Sequence, residues 1–139
     1  MNEILRQASI EVVVPFHDLD PMNVAWHGNY LKYFELARCE LLESFDYNYP
    51  QMEASGYLWP IVDLRVKYVQ PARFEQRLVV TAKLVEVVNR MRIDYEIRCA
   101  QSGKRLTRGH SIQVAVDKAS GEMQFVSPPA LLERLGVTP

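Results

Sequence analysis

Three residue types capable of chemistry fall within one short stretch. Asp18 and Asp20 stand in FHDLDP, His27 follows seven residues after Asp20, and Tyr30 opens a long apolar run. An aspartate is ionised at neutral pH without special tuning. It can therefore attack a polarised carbonyl carbon or take a proton from water. Such chemistry needs donors where negative charge develops. The start of a helix supplies them, through backbone N–H groups and the positive end of the helix dipole. A thioester or ester carbonyl lodged there would build its oxyanion against those donors.

Each residue also has a plainer role. An aspartate before a proline commonly caps turn N–H groups. If the segment is extended, Asp18 and Asp20 share a face, and two close carboxylates raise one pKa. Otherwise Asp18 makes a structural hydrogen bond or salt bridge. His27 can cap the helix or sit on the surface. Alternatively its side chain orients the carbonyl, or its backbone N–H joins the oxyanion site.

The elements that must hold these residues follow from periodicity. Ser9 to Val14 is β-branched and apolar and stops at Pro15, which reads as a strand. From Gly28 or Asn29 to Phe45 the pattern is helical. Tyr30, Phe34, Ala37, Leu41 and Phe45 share one side, and Lys32, Glu35, Cys39 and Glu43 lie opposite. Leu31, Tyr33, Leu36 and Leu42 fill the flanks, so other structure should wrap most of this helix. Residues 46–56 read as loop. Val62, Leu64, Val66 and Tyr68 alternate with charged residues, a strand with one buried face, and Pro71 ends it. Arg77–Val88, Met91–Cys99 and Arg105–Asp117 read as three more strands, with Ser102-Gly103 as a hairpin turn. Residues 122–126 can pair locally. Pro128–Leu135 reads as a short terminal helix with Ser127 as its N-cap. A strand, one long helix and four strands joined by short turns make an α+β fold, one antiparallel sheet with the helix on its concave face.

Composition narrows the function classes. The 139 residues suit a single domain, 1–139, with 48% hydrophobic and 24% charged residues, an ordinary globular balance. A formal charge of −1 with no basic block argues against nucleic-acid binding. The N-terminus has an early Glu3 and no apolar h-region, so no secretory signal is expected. No apolar run is long enough to span a bilayer, and the expected compartment is the cytoplasm. Cys39 and Cys99 form no CxxC pair and read as small buried hydrophobes. His17, His27 and His110 are scattered, so neither metal nor cofactor is expected. GxSxG, GxxxxGK[ST] and GxGxxG are absent.

The stretch FHDLDPMNVAWHGNYLKYFELAR resembles the D-x-D-x-x-x-x-V-x-[HY]-x-x-Y motif of hotdog-fold acyl-CoA thioesterases. The nearest likeness is to the 4-hydroxybenzoyl-CoA thioesterase-like family, in the branch of small thioesterases encoded with the bacterial Tol–Pal system. The match is specific over residues 16–43, and strand order and Leu58–Val62 support it elsewhere. The resemblance implies a curved antiparallel sheet around one long helix, with Asp20 and His27 catalytic. Backbone N–H groups at His27 and Gly28 would polarise the thioester carbonyl. Trp26, Tyr30, Trp59, Pro60 and Ile61 would shape the acyl pocket. Arg90, and with it Arg92, would hold the phosphates of CoA. Two subunits would pair edge to edge as a homodimer or within a homotetramer, with each site at their interface. The substrate would be an acyl-CoA or acyl-carrier-protein thioester. Two rivals stand beside this reading. One is a non-catalytic acyl or carrier-protein binding module on the same fold. The other is a 3-hydroxyacyl dehydratase, against which the missing His–Pro-Gly context speaks.

Overall fold

A computed structural model describes residues 3–139. Met1 and Asn2, on which the expectation about the N-terminus partly rests, lie outside the described residues. Strand β1 (Arg6–Val13) leads through a 3-10 turn at Phe16–Asp18 to helix α1 (Asn29–Ser44). The remaining elements are α2 (Tyr49–Ala54), β2 (Tyr57–Leu58), β3 (Ile61–Tyr68), β4 (Arg77–Glu86), β5 (Met91–Cys99), β6 (Arg105–Gln113), β7 (Val116–Asp117) and α3 (Pro129–Leu135). Five strands form one antiparallel sheet in the order β1-β4-β5-β6-β3, and β2 pairs with β7 as a separate ribbon. Among the described residues, no helix is long and apolar enough to cross a membrane.

The core lies between α1 and the sheet. Leu78, Val80, Ala82 and Leu84 of β4, with Met91, Ile93, Tyr95 and Ile97 of β5, point inward on alternate positions and are buried. They meet Tyr30, Phe34, Ala37 and Leu41 of α1, the face that the helical spacing picked out. Phe34 stacks flat on Tyr95, with ring centroids 4.5 Å apart. Opposite them stands Gly109 of β6, where a Cβ would lie 2.2 Å from the Arg65 carbonyl oxygen and 3.0 Å from the Phe34 ring. A glycine is needed here because a backbone atom, which cannot step aside, fills the space.

Four expectations need correction. Residues 46–56 are not all loop, because Tyr49–Ala54 forms α2. The Asn48 side chain accepts from the Tyr49 N–H at 2.8 Å, and the Gln51 side chain accepts from the Asn48 N–H at 3.0 Å. Residues that read as turn formers are also helix-capping residues, and here the cap wins. Ser127 is not the N-cap of α3. Pro128 takes that position, and the Ser127 hydroxyl donates to the Val87 carbonyl. Arg105–Asp117 is not one strand, since it breaks after Gln113 and Val116–Asp117 turns to pair with β2.

The fourth correction shapes the site. β3 has no buried face within the single chain: Val62 is 58% exposed and Tyr68 46%. β3 is the last strand of the sheet, whereas α1 packs over β1 and β4 at the other side. Its inner apolar row is left open, together with half-exposed Leu36 on α1. The helix is therefore wrapped on the β1–β4 side and open toward β3.

The close approach at Gly109 gives a direct test. Gly109→Ala should destabilise the fold by about 1–3 kcal/mol, the usual cost of an added group in a filled space. Urea unfolding measures this, and an unchanged midpoint would refute the packing argument.

Candidate active site

The loop before α1 is a small closed turn. The Asn23 N–H donates to the Asp20 carbonyl at 3.0 Å, and the Asp20 N–H donates to the Val24 carbonyl at 2.9 Å. Asn23 takes φ 63°, the left-handed region that asparagine tolerates better than most residues. The Ala25 N–H donates to the Ala72 carbonyl at 2.8 Å and ties this turn to the segment after β3. Asp20 performs the plain role described above: one oxygen accepts from the Met22 N–H at 2.8 Å. Among the described residues, no donor of the chain holds its other oxygen.

Asp18 holds the whole loop against the helix. Its carboxylate accepts from Lys32 Nζ at 2.8 Å and from the Tyr33 hydroxyl at 2.7 Å. Its carbonyl accepts from the Trp26 N–H at 2.8 Å and the Asn29 side chain at 2.9 Å. Burial alone would raise its pKa. The bonds from Lys32 and Tyr33, with the Lys32 charge and a smaller contribution from His17, outweigh this and hold Asp18 below the ordinary carboxylate value. Burial and the Asp18 charge push the Tyr33 phenol far up, so it remains a donor. Asp18 is thus the structural member of the pair, and no shared-proton arrangement with Asp20 raises it.

Asp20, His27, Tyr30 and Tyr68 line one cavity of about 260 Å³, with Met22, Val24, Ala25 and Val69 as apolar walls. The start of α1 borders it. Gly28 caps the helix with no side chain to satisfy the first-turn donors. Among the described residues, the His27 and Gly28 N–H groups donate to no other group of the chain. The Tyr30 hydroxyl accepts from the Ala72 N–H at 2.9 Å and so fixes the cavity wall. Burial raises the pKa of Tyr30 and the Asp20 charge adds to this, against the Ala72 hydrogen bond.

The cavity also contains a residue that the sequence motif does not point to. Tyr68, at the end of β3, donates its hydroxyl to the His27 carbonyl at 2.7 Å and packs edge-on against Tyr30 at 5.0 Å. Its only sequence signal is its place as the last alternating residue before Pro71.

Other expected site residues lie elsewhere in the single chain. Trp26 folds over Gly28, where a Cβ would meet its ring at 2.2 Å, and it stands half-exposed outside the cavity lining. Trp59 is buried against Tyr47, to whose hydroxyl it donates at 3.2 Å. Pro60 and Ile61 are exposed at the start of β3. None of these four borders the Asp20 cavity within one chain. Arg90 pairs with Glu86 at 3.1 Å and Arg92 with Asp94 at 3.0 Å, both away from this cavity.

A curved antiparallel sheet around one long helix, with an acidic turn at the helix start, is the hotdog fold. Residues 14–135 match the model of the thioesterase-like superfamily, and the chain belongs to that family. The "Putative esterase sll0410" of Synechocystis is 31% identical over 128 residues, which cover 91% of this chain and 76% of that protein. The "Putative acyl-CoA thioesterase YneP" of Bacillus subtilis is 29% identical, over 79% of this chain and 80% of its own. Among solved structures, the 1,4-dihydroxy-2-naphthoyl-CoA thioesterase Slr0204 of Synechocystis superposes with a TM-score of 0.83 at 21% identity. That alignment covers 94% of this chain and 96% of the other, a likeness of fold.

The Asp18 anchor makes a pH-dependent prediction. A depressed carboxylate pKa contributes stability above the unfolded value near 4 and loses it as pH falls through the folded value. Asp18→Asn should cost about 1–3 kcal/mol at pH 7, the range for charge-assisted hydrogen bonds. The gap from wild type should shrink at pH values below 4. Urea unfolding at several pH values measures it, and a gap independent of pH would refute the assignment.

Proposed function

We propose that this chain hydrolyses acyl thioesters, with acyl-CoA or an acyl carrier protein as the thiol carrier. The observation that carries the reading is the meeting of Asp20 and His27 in one cavity beside the start of α1, where the His27 N–H and the adjacent Gly28 N–H have no partner among the described residues. The thioester carbonyl would sit against the His27 and Gly28 N–H groups, which stabilise its oxyanion. Asp20 then attacks the carbonyl carbon, expelling the thiolate and leaving an anhydride for water to open. In the alternative route it takes a proton from the attacking water. His27 contributes through its backbone, and the Tyr68 hydroxyl on its carbonyl holds that peptide in place. The likeness of residues 16–43 supports placing the chain in the Tol–Pal-associated branch of these thioesterases. An enzyme of CoA thioesters also fits the cytoplasm.

A second copy of the chain completes this reading. The open inner row of β3 and its unpaired edge are what an edge-to-edge dimer would cover. In an antiparallel pairing of two β3 strands, the Ile61 end of one runs beside the Tyr68 end of the other. The Trp59–Ile61 segment of the second copy would then close the Asp20 cavity. This accounts for an acyl-pocket segment that lies apart from Asp20 within one chain. A homodimer is the smallest such assembly, and a homotetramer would be built from two of them.

Asp20→Asn should fold normally and lose at least ~100-fold in kcat on a panel of aromatic, short and long acyl thioesters, the range for acid–base or nucleophilic groups. Near wild-type hydrolysis by the folded variant would refute the role. Thioester binding without turnover by the wild type would favour a non-catalytic binding module instead.

For the assembly, Leu64→Glu should give a monomeric mass in light scattering and lose activity together with the dimer. A monomeric wild type with full activity would overturn the completed site.

A further inference from the structure

The outer face of the sheet, away from α1, carries charge that thioester hydrolysis does not use. Strand register places it in cross-strand rows. Lys67 of β3 stands opposite Arg108 of β6, which stands opposite Glu96 of β5. In the next row Arg65 faces His110, then Asp94, then Lys83 of β4. The long side chains wall an open groove of about 470 Å³. Six lysines and arginines line it against two carboxylates, although the chain as a whole carries a formal charge of −1.

Those two carboxylates are already engaged. Asp94 is held by Arg92 at 3.0 Å. Glu96 is held by Arg98 and, at 3.7 Å, by Arg105, so it is not available to Arg108 opposite. Among the described residues, Arg65, Lys67, Lys83 and Arg108 have no carboxylate within ion-pair distance. Like charges directly opposite in a sheet are destabilising, as Lys67 and Arg108 are here. An external anion would relieve that repulsion.

We propose that this groove binds a small polyphosphate anion of the nucleoside diphosphate or pyrophosphate class. Neighbouring strands lie about 4.8 Å apart and same-face residues about 6.8 Å apart, so Arg65, Lys67 and Arg108 on adjacent β3 and β6 stand within reach of one compact anion, while Lys83 on β4 walls the far side of the groove. A single carboxylate offers one charge there, whereas linked phosphates offer several, and guanidinium forks match phosphate oxygens. No exposed aromatic lines the groove for base stacking, which argues against a nucleic-acid strand. A second copy of this face would bring more cations against these. The anion is either a free polyphosphate or the diphosphate of a CoA-linked substrate.

Calorimetry with pyrophosphate and with ADP tests the site on the full-length protein, with sulfate as the simple-anion control. Both polyphosphates should bind more tightly than sulfate, and binding should weaken as salt is added. The double variant Lys67→Glu/Arg108→Glu should bind at least ~10-fold more weakly, the loss expected for charge-assisted phosphate contacts. Its hydrolysis of a phosphate-free N-acetylcysteamine thioester should stay at the wild-type rate, which shows that the fold and catalytic site are intact. A raised KM for acyl-CoA alone identifies the substrate's own diphosphate as the anion, and an unchanged KM identifies a free one. Absence of binding at ~1 mM pyrophosphate, or equal affinity in the double variant, overturns the proposal. The binding measurement needs no turnover, so it fails or succeeds independently of the hydrolytic reading.

Discussion

The buried Asp18 carboxylate is the interaction on which the candidate site depends. It is removed from water, and two donors near the start of α1, Lys32 and Tyr33, offset the cost of that removal. Its own carbonyl takes the Trp26 N–H and the Asn29 side chain, so one residue clamps both sides of the loop to the helix start. Together with the hydrogen bond from the Ala25 N–H to the Ala72 carbonyl, that clamp sets Asp20 and the helix N–H groups on one frame. With it, they hold a fixed separation, which is what preorganised stabilisation of developing charge requires.

The two aspartates of the DxD pair therefore divide their work by environment. Asp18 is buried, doubly bonded and held ionised as an anchor. Asp20 sits two residues on, partly exposed in a cavity, with one oxygen fastened to its own turn. The fastening does not compete with chemistry, because a carboxylate has a second oxygen. The turn that looks like a purely structural device orients the group proposed to react.

Tyrosines finish the enclosure. Tyr30 holds the segment after β3 through the Ala72 N–H, and Tyr68 returns from β3 to the His27 carbonyl. Each joins α1 to the far side of the sheet, the side that α1 leaves uncovered. The open inner row of β3 follows from that edge position, whereas the charged outer face runs across β3, β6, β5 and β4. The apolar side suits pairing with another chain, and the cationic side resists it.

Much of this was legible in the sequence because the key elements are continuous. The helix face of Tyr30, Phe34, Ala37 and Leu41 follows from a 3.6-residue period, and the acidic turn and helix start lie within residues 16–43. Local spacing was enough to bring Asp20, His27 and Tyr30 into one cavity. Alternation along β3 also pointed to a strand, but period 2 reports that one side is apolar, not what covers it. Only the strand order put β3 at the edge, opened its apolar row and set Trp59–Ile61 apart from Asp20 within one chain. Only tertiary structure brought Tyr68 to His27, across 41 residues. The outer groove likewise draws on β3, β4, β5 and β6, whose register no short window contains. Short-range patterns encode which residues share a face, whereas contacts between distant segments depend on how those faces pack.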